Sequence, residues 1–570
     1  MGEEKKLTGY PSIDKPWLKY YSEDAVNVSL PESTMYQYIL EKNKRNLSDV
    51  ALRYYGARIT YGSLFNSIQK AAAAFYALGV RDGDMVTIMS MHTPETIYSI
   101  YALNMIGAVA NIVYMTLADN EIVDTIQNTN SKALLILDVA LTRINTISDK
   151  LNIPVIVLGV ADSMPLYYRI GYYLKAKTRN HDYMTWQQFI KTGVAEVSAS
   201  NNHRAPAIVV YTSGTTGNPK GVLLSGERLN AIAEQLIVSY GDKKRQETVL
   251  MILPPFIAFG ISMIHRALGT GMDMTLWIEM DSDRIGKAFG KLKPNRFVSG
   301  PLLIEGIMKH STGSLQNVYD ITGGGEAIAS DLEDRFNAFL QDHDSKARYM
   351  TGYGMSEFGS VITLNWLHAN KKGSIGIPLP LTQIKIIDPD TYEELPYGET
   401  GEIMVSTPCA MLGYYNNEAS TRDVILVDDD DKSWIRTGDL GYIDRDGFVF
   451  LIGRIKRIYT VLDKNDVACK LFPQRIEELL ASNESVINCA VVVKPDSKRR
   501  FVPIGYVTLE TQDKEKCLAS LYDLVKKELP DHMQLQKIIT LPSMPMTQSG
   551  KIDYRALEIM ESEAFHEQSE

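Results

Sequence analysis

Through the first two-thirds of this 570-residue chain, short apolar runs of strand character alternate with amphipathic segments of helical period. Met85 to Met89, Ala133 to Leu137 and Pro154 to Leu158 read as buried strands, and Ser67 to Leu78 and Pro94 to Ile106 as helices. Such alternation predicts α/β layers with largely parallel sheets. After Asp388 the pattern changes to Gly, Asp and short β-type runs as far as Ile452, which suggests a distorted β-barrel lobe. From Ile455 onward, Arg475 to Ala481, Ala490 to Val493, Ile504 to Leu509 and Lys516 to Leu529 give a compact α+β pattern. A chain of this length exceeds one hydrophobic core. The expected organisation is a large N-terminal domain over 1–453, made of layered α/β subdomains plus the barrel-like lobe, and a small α+β domain over 454–570.

The strand-like Ala207-Ile-Val-Val210 runs directly into Tyr211-Thr-Ser-Gly-Thr-Thr-Gly-Asn-Pro-Lys-Gly221. Glycines let backbone N–H groups face a ligand, hydroxyls add donors, and lysine adds a mobile positive charge. That combination suits an oligophosphate. The spacing is not that of a Walker A loop, since neither Gly214 nor Gly217 falls where G-x-x-x-x-G-K-[ST] requires. Composition alone also fits a Gly/Ser/Thr-rich surface turn.

Apolar residues make up 45% of the chain and charged residues 22%, ordinary for a globular protein. The net charge of −10 argues against nucleic acid as a partner. Cys409, Cys469, Cys489 and Cys517 are widely spaced without C-x-x-C pairs, as expected of reduced thiols. The N-terminus lacks an apolar h-region, and position 6 is Lys where myristoylation would want Ser or Thr. No run approaches the ~18 apolar residues of a membrane span. The expectation is a cytoplasmic protein.

One segment, 164–179, places four tyrosines beside four basic residues. It reads either as a membrane-surface helix or as a surface excursion that packs its tyrosines on the body.

The Tyr211–Gly221 run resembles the phosphate-binding signature of the adenylate-forming superfamily, which holds acyl-CoA synthetases, peptide-synthetase adenylation domains and firefly-type luciferases. Other landmarks follow in the family's order: Ile59-Thr-Tyr61, Gly323-Gly-Gly-Glu-Ala327, Tyr353-Gly-Met-Ser-Glu357, Gly401-Glu402, Gly413-Tyr-Tyr415, Arg436-Thr-Gly-Asp439, Gly453-Arg-Ile-Lys456 and Gln548-Ser-Gly-Lys-Ile-Asp553. The resemblance covers about Leu30 to Leu557.

It implies an ATP-dependent acid–thiol ligase working through an acyl-adenylate, with ATP, Mg²⁺ and CoA as cofactors and co-substrates and a mobile C-terminal domain. Thr212, Ser213, Gly214, Thr215, Thr216 and Lys220 would hold the phosphates, with Thr216 and Glu357 at the magnesium. Gly325, Glu326, Tyr353, Gly354 and Ser356 would frame the nucleotide. Asp439 would accept from the ribose hydroxyls, as an ionised carboxylate can, with Arg454 beside it. Lys551 would orient the substrate carboxylate and the α-phosphate in the transition state. Lys456 matches the family's hinge.

The acid is partly legible. Peptide-synthetase domains that load α-amino acids carry Asp after Phe in the motif here read as Leu253-Pro-Pro-Phe-Ile-Ala-Phe-Gly260; this chain has Ile257, and the His frequent in acyl- and aryl-CoA ligases is also absent. Burying an ammonium with no carboxylate is costly, so an amino acid is disfavoured. Phe256, Ile257, Phe259 and Met355, with small Ser299, Gly300, Gly323 and Ala327, suit an aliphatic or aromatic tail, or else are core residues. Arg457 to Phe472 departs from the family, being longer and without glycine, on the face where a thiol acceptor approaches. A separate acyl or peptidyl carrier protein is therefore the alternative acceptor, and a non-catalytic homologue the remaining alternative.

Overall fold

The computed structural model describes residues 7–175, 183–212, 219–240, 245–324, 328, 330–496, 498–511, 513–547 and 551–567. Two large sheets carry the N-terminal part. In one, eight strands run in the spatial order Gly413–Tyr414, Gly221–Ser225, Pro206–Tyr211, Val109–Ile112, Met85–Met89, Leu134–Leu137, Val155–Leu158 and Met184–Thr185. In the other, nine strands run from Ile377–Pro378 through Val361–Leu364, Tyr349–Gly354, Asp320–Gly323, Arg296–Ser299, Thr248–Met251, Asp273–Leu276 and Val50–Tyr54 to Ala57–Thr60. Both have parallel centres; the nine-stranded sheet is antiparallel at both edges, and the eight-stranded sheet at its Gly413–Tyr414 edge only. Their interior strands are apolar on both faces, as sheets covered by helices must be.

Most helices of this region share one core with strands of both sheets, while Ser282–Leu292, Pro301–His310 and Ser330–Asp342 pack a second cluster on the nine-stranded sheet. The Pro94–Met105 helix starts with Pro at its first turn and a cap from Thr93 to the Thr96 amide, and every one of its residues is buried. Ala258–Thr270 is likewise buried nearly all round. A helix apolar on all faces belongs in an interior.

The third sheet is antiparallel and pairs Gln383–Ile387 with Gly401–Ser406, then Ser433–Ile443, which pairs on its far side with Ile425–Val427 and Val449–Arg454. It begins before Asp388, and its pairings among the described residues leave it open where a distorted barrel is expected. The outer strand, Gln383–Ile387, ends in a β-bridge from Ile387 to Glu394, and Ser12 in the Pro11–Asp14 turn bonds that glutamate at 2.9 Å. The edge is thereby covered locally and needs no closure.

The C-terminal part has a three-stranded sheet (Val486–Asp496, Arg500–Leu509, Lys537–Thr540), a hairpin (Tyr459–Leu462 with Ala468–Leu471) and the helices Pro473–Ala481, Lys514–Glu528 and Tyr554–Glu567. Its apolar residues form clusters of their own, around Ile476, Val491 and Leu521 and around Ile504, Tyr506 and Leu557. Separate cores make it a separate lobe.

The Leu166–Lys175 helix packs part of its tyrosine set on the body and leaves part exposed. Tyr172 donates to the Asp138 carboxylate at 3.2 Å and Tyr173 to Asp162 at 3.5 Å, while Tyr167 is 82% exposed. Residues 176–179 lie outside the described residues. Among the described residues no helix is long and apolar enough to cross a membrane.

Candidate active site

The Gly/Ser/Thr run closes a β-hairpin. Tyr211 pairs with Gly221, the Thr212 amide donates to the Lys220 carbonyl at 3.0 Å, and the Lys220 amide returns to the Thr212 hydroxyl at 3.2 Å. Ser213, Gly214, Thr215 and Thr216 lie outside the described residues, as do Gly325, Glu326 and Ala327.

Lys220 sets its ammonium 4.7 Å from the centre of the Tyr414 ring. The Tyr414 hydroxyl donates to Glu357 Oε1 at 2.8 Å, and burial together with that carboxylate pushes the phenol pKa up. Glu357 is buried in the turn Ser356–Phe358, and its carbonyl accepts from the Met411 amide at 2.7 Å. One buried carboxylate held at Oε1 fits Mg²⁺, which takes one or two protein oxygens and completes its shell with phosphates and water. Thr216, the second expected ligand, is outside the described residues, and among the described residues no group of three acidic, His or Cys side chains forms a metal cage.

A second cluster faces this one. Tyr353 ends the strand Tyr349–Gly354, and its hydroxyl donates to Asp439 Oδ2 at 2.5 Å. Arg454 meets Oδ1 of the same carboxylate at 2.8 Å and donates to the Thr437 carbonyl at 3.1 Å. Asp439 and Arg454 are opposite one another in the antiparallel ladder, so the pairing itself sets this contact. Upstream, buried Glu402 takes Arg436 at 2.7 Å and the Gly438 amide at 3.1 Å. Gly438 has φ +69°, a conformation that favours glycine, and turns the chain to aim Asp439 inward. Burial raises the Asp439 carboxyl above its ordinary pKa; Arg454, Tyr353 and Lys551 oppose this, while Glu357 adds to it.

Lys551 sits on a C-terminal-lobe turn, where its carbonyl accepts from the Thr547 amide at 2.6 Å and Met546 bridges to Ile552. Gln548 to Gly550 are outside the described residues.

The expected pocket residues also converge. Parallel register sets Ser299 beside Gly323 and Gly323 beside Thr351, so two strands end level and the third, Tyr349–Gly354, runs three residues on past the carboxyl ends where open α/β sheets bind ligands. A Cβ on Gly323 would come within 1.8 Å of the Tyr349 hydroxyl, so only glycine fits. Gly300 follows at the start of Pro301–His310 with open space around it. Met355 lies 3.5 Å from the Tyr353 hydroxyl. Ile257 is the N-cap residue of Ala258–Thr270, Phe259 is half-buried in its first turn, and Ser262 ties that helix to the Gly359 carbonyl at 2.7 Å. Phe256 packs on Tyr114 at 5.1 Å, and Tyr114 bonds the Tyr211 carbonyl at 3.1 Å. Gly354 and Ser356 flank Met355 in the same turn.

Lys456 is exposed, in the single turn Ile455–Arg457. Before it, Arg454 is bound to the large lobe. After it, Arg457 is bound to the small one, through Glu477 at 2.6 Å and the Tyr554 ring at 3.8 Å.

Tyr414, Tyr114 and Glu402 are the contributors that sequence reasoning left without a role. Tyr414 and Glu402 sit in motifs already quoted, so their position was visible and their contacts were not.

The model for "AMP-binding enzyme" matches residues 40–415, and that for "AMP-binding enzyme C-terminal domain" matches 475–551. The chain belongs to the AMP-binding enzyme family. Among curated relatives, the long-chain-fatty-acid–CoA ligase of Bacillus subtilis (strain 168) is 27% identical over 97% of this chain and 99% of its own. Among solved structures, the anthranilate CoA ligase AuaEII in complex with anthranoyl-AMP superposes with a TM-score of 0.79 at 20% identity, covering 93% of this chain and 98% of that one. A benzoate CoA ligase from Burkholderia xenovorans LB400 gives 0.77 at 20% identity, covering 92% and 99%. These structures share the fold: a large mixed α/β N-terminal part and a small C-terminal domain.

Proposed function

We propose that this protein is an ATP-dependent carboxylate–CoA ligase. A carboxylate attacks the α-phosphorus of ATP and expels pyrophosphate, and a thiol then displaces AMP from the acyl-adenylate. The observation that carries the reading is the buried Asp439 carboxylate, which holds the Tyr353 hydroxyl on one oxygen and Arg454 on the other. Asp439 and Arg454 bind the ribose, and Tyr353 covers the adenine. Thr212 to Thr216 and Lys220 hold the phosphates. Glu357, with Thr216, holds Mg²⁺, which supplies charge neutralisation on the phosphates. Lys551 orients the carboxylate and neutralises charge as it develops.

The acid is a neutral-tailed aliphatic or aryl acid, held by Phe256, Ile257, Phe259, Ser299, Gly300, Gly323, Ala327 and Met355. Pyrophosphate release screened over carboxylic acids, with and without CoA, tests the assignment. Desamino acids should exceed their α-amino counterparts by roughly three decades in kcat/KM, the weight of several kcal/mol for an unpaired buried charge. Faster turnover of leucine than of methylpentanoate contradicts the pocket, and no acid-dependent release at all supports a non-catalytic homologue.

The hairpin Tyr459–Leu462/Ala468–Leu471 favours a second reading, in which the acceptor is the thiol of a separate carrier protein. Acid-dependent pyrophosphate release that CoA fails to carry on to thioester favours the carrier.

We place the domain boundary at 453/454 and the protein in the cytoplasm, which its four free cysteines fit. Its Leu166–Lys175 helix rests on anionic membrane. Leu166, Tyr167, Ile170 and Leu174 are 64%, 82%, 51% and 76% exposed, and 164–179 carries four basic and no acidic residues. Cosedimentation with phosphatidylserine vesicles, but not neutral ones, is expected, and should weaken in Tyr167→Ser. Equal or absent binding to both contradicts the contact.

A further inference from the structure

Between the nine-stranded sheet and the Ala258–Thr270 helix lies a cavity of about 20 Å³, room for a water molecule. Met251, Met263, Ala267, Met272 and Val298 give it apolar walls, while Arg266, Arg296 and Asp320 close one end. Phe259, Met263 and Arg266 follow one another at i, i+4 and i+7 of Ala258–Thr270, along one face of that helix. Val298 directly precedes Ser299 on its strand, so the two side chains take opposite faces. The helix face is what links the cavity to the expected pocket, and Arg266 stands nine residues past Ile257, about 13 Å at ~1.5 Å per residue.

Arg266 is only 7% exposed, and its buried Nε has no hydrogen-bond partner. Its guanidinium lies 4.2 Å from the Tyr240 ring centre. Of the neighbouring carboxylates, Asp320 is committed on both oxygens, while Glu247 gives Oε2 to Arg296 and keeps Oε1 buried without a hydrogen-bond partner. Arg296 takes Glu247 and Asp320 at 2.6 Å each, and Tyr240 and Thr322 bond the other Asp320 oxygen at 3.1 Å. Two arginines face two carboxylates, so the cluster is already neutral. A buried donor without an acceptor is costly, and a bound oxygen relieves that cost. A neutral oxygen does so without adding charge to a balanced, buried cluster. Methionine walls adapt to the tail that brings it.

We propose that this cavity is the blind end of the acyl pocket and that Arg266 donates to a neutral oxygen, a hydroxyl or ketone, near the far end of the substrate tail. The inference rests on the ligase reading and narrows its acid to oxygenated aliphatic acids. The test is kcat/KM for pyrophosphate release over a chain-length series of unsubstituted fatty acids, their terminal hydroxy and keto forms, and α,ω-dicarboxylates. The wild type should favour the hydroxy or keto acid about tenfold to a hundredfold at the length that reaches Arg266, the weight of one hydrogen bond to a charged group. Arg266→Met should collapse that ratio toward one. If it fails to fold, Met263→Phe, which narrows the way in, should do the same. A wild-type ratio near one at every length, a lead for the dicarboxylates, or a ratio retained in both variants overturns the inference and leaves the ligase reading standing. No release with any acid overturns both.

Discussion

Asp439 holds Tyr353 on one oxygen and Arg454 on the other. An ionised carboxylate has about four lone-pair sites, so acceptor capacity remains for the ribose hydroxyls. Glu95 is the opposite case. It is 2% exposed in the first turn of Pro94–Met105, with Oε1 accepting from Ser163 at 2.6 Å and Oε2 buried without a partner. Burial chiefly, with Asp162 adding to it, pushes its pKa from 4.5 to about 8; Tyr54 and Tyr98 also face it. The folded state therefore holds this proton more tightly than the unfolded state does. The stabilisation is fully present below pH 4.5 and is lost as pH rises to about 8. Each unit of the difference is ~1.4 kcal/mol. Glu95→Gln keeps the neutral shape, so its melting temperature should fall less across that window than the wild type's. Parallel melting curves would mean that Glu95 is already ionised in the fold.

The Ile455–Arg457 turn joins residues anchored in opposite lobes, which leaves Lys456 as the point where torsion costs least. Lys456→Pro, with φ held near −65°, should lock one orientation. Pyrophosphate exchange should stay within ~threefold, under about 1 kcal/mol, while thioester synthesis is lost. Equal loss of both would assign the hinge elsewhere. The alternating α/β layers and the family motifs were legible beforehand, since periodicity and composition announce both. Tyr114 and Tyr414 were not, because what they do is touch residues a hundred or more positions away or on another strand. The Tyr459–Leu471 hairpin was missed because each arm is four residues, too short for periodicity to announce. Its signal was the turn: Asp463 accepts from the Asn465 and Val467 amides at 2.8 and 2.9 Å, and Asp466 has φ +59°. The open third sheet was beyond reach for a related reason, since closure depends on an edge that residues near the N-terminus cover.

Two lobes with separate cores and one turn between them fit the two-step reaction proposed above. In that proposal Lys551 serves the adenylation step at the nucleotide site. Thiol attack needs the small lobe turned away. The most direct measurement compares the two half-reactions in Lys551→Ala. Exchange of pyrophosphate into ATP should fall by at least ~10²-fold, the scale of one preorganised charge contact. Thioester formation from supplied acyl-adenylate should persist near the wild-type rate. Exchange retained in the mutant would contradict the account.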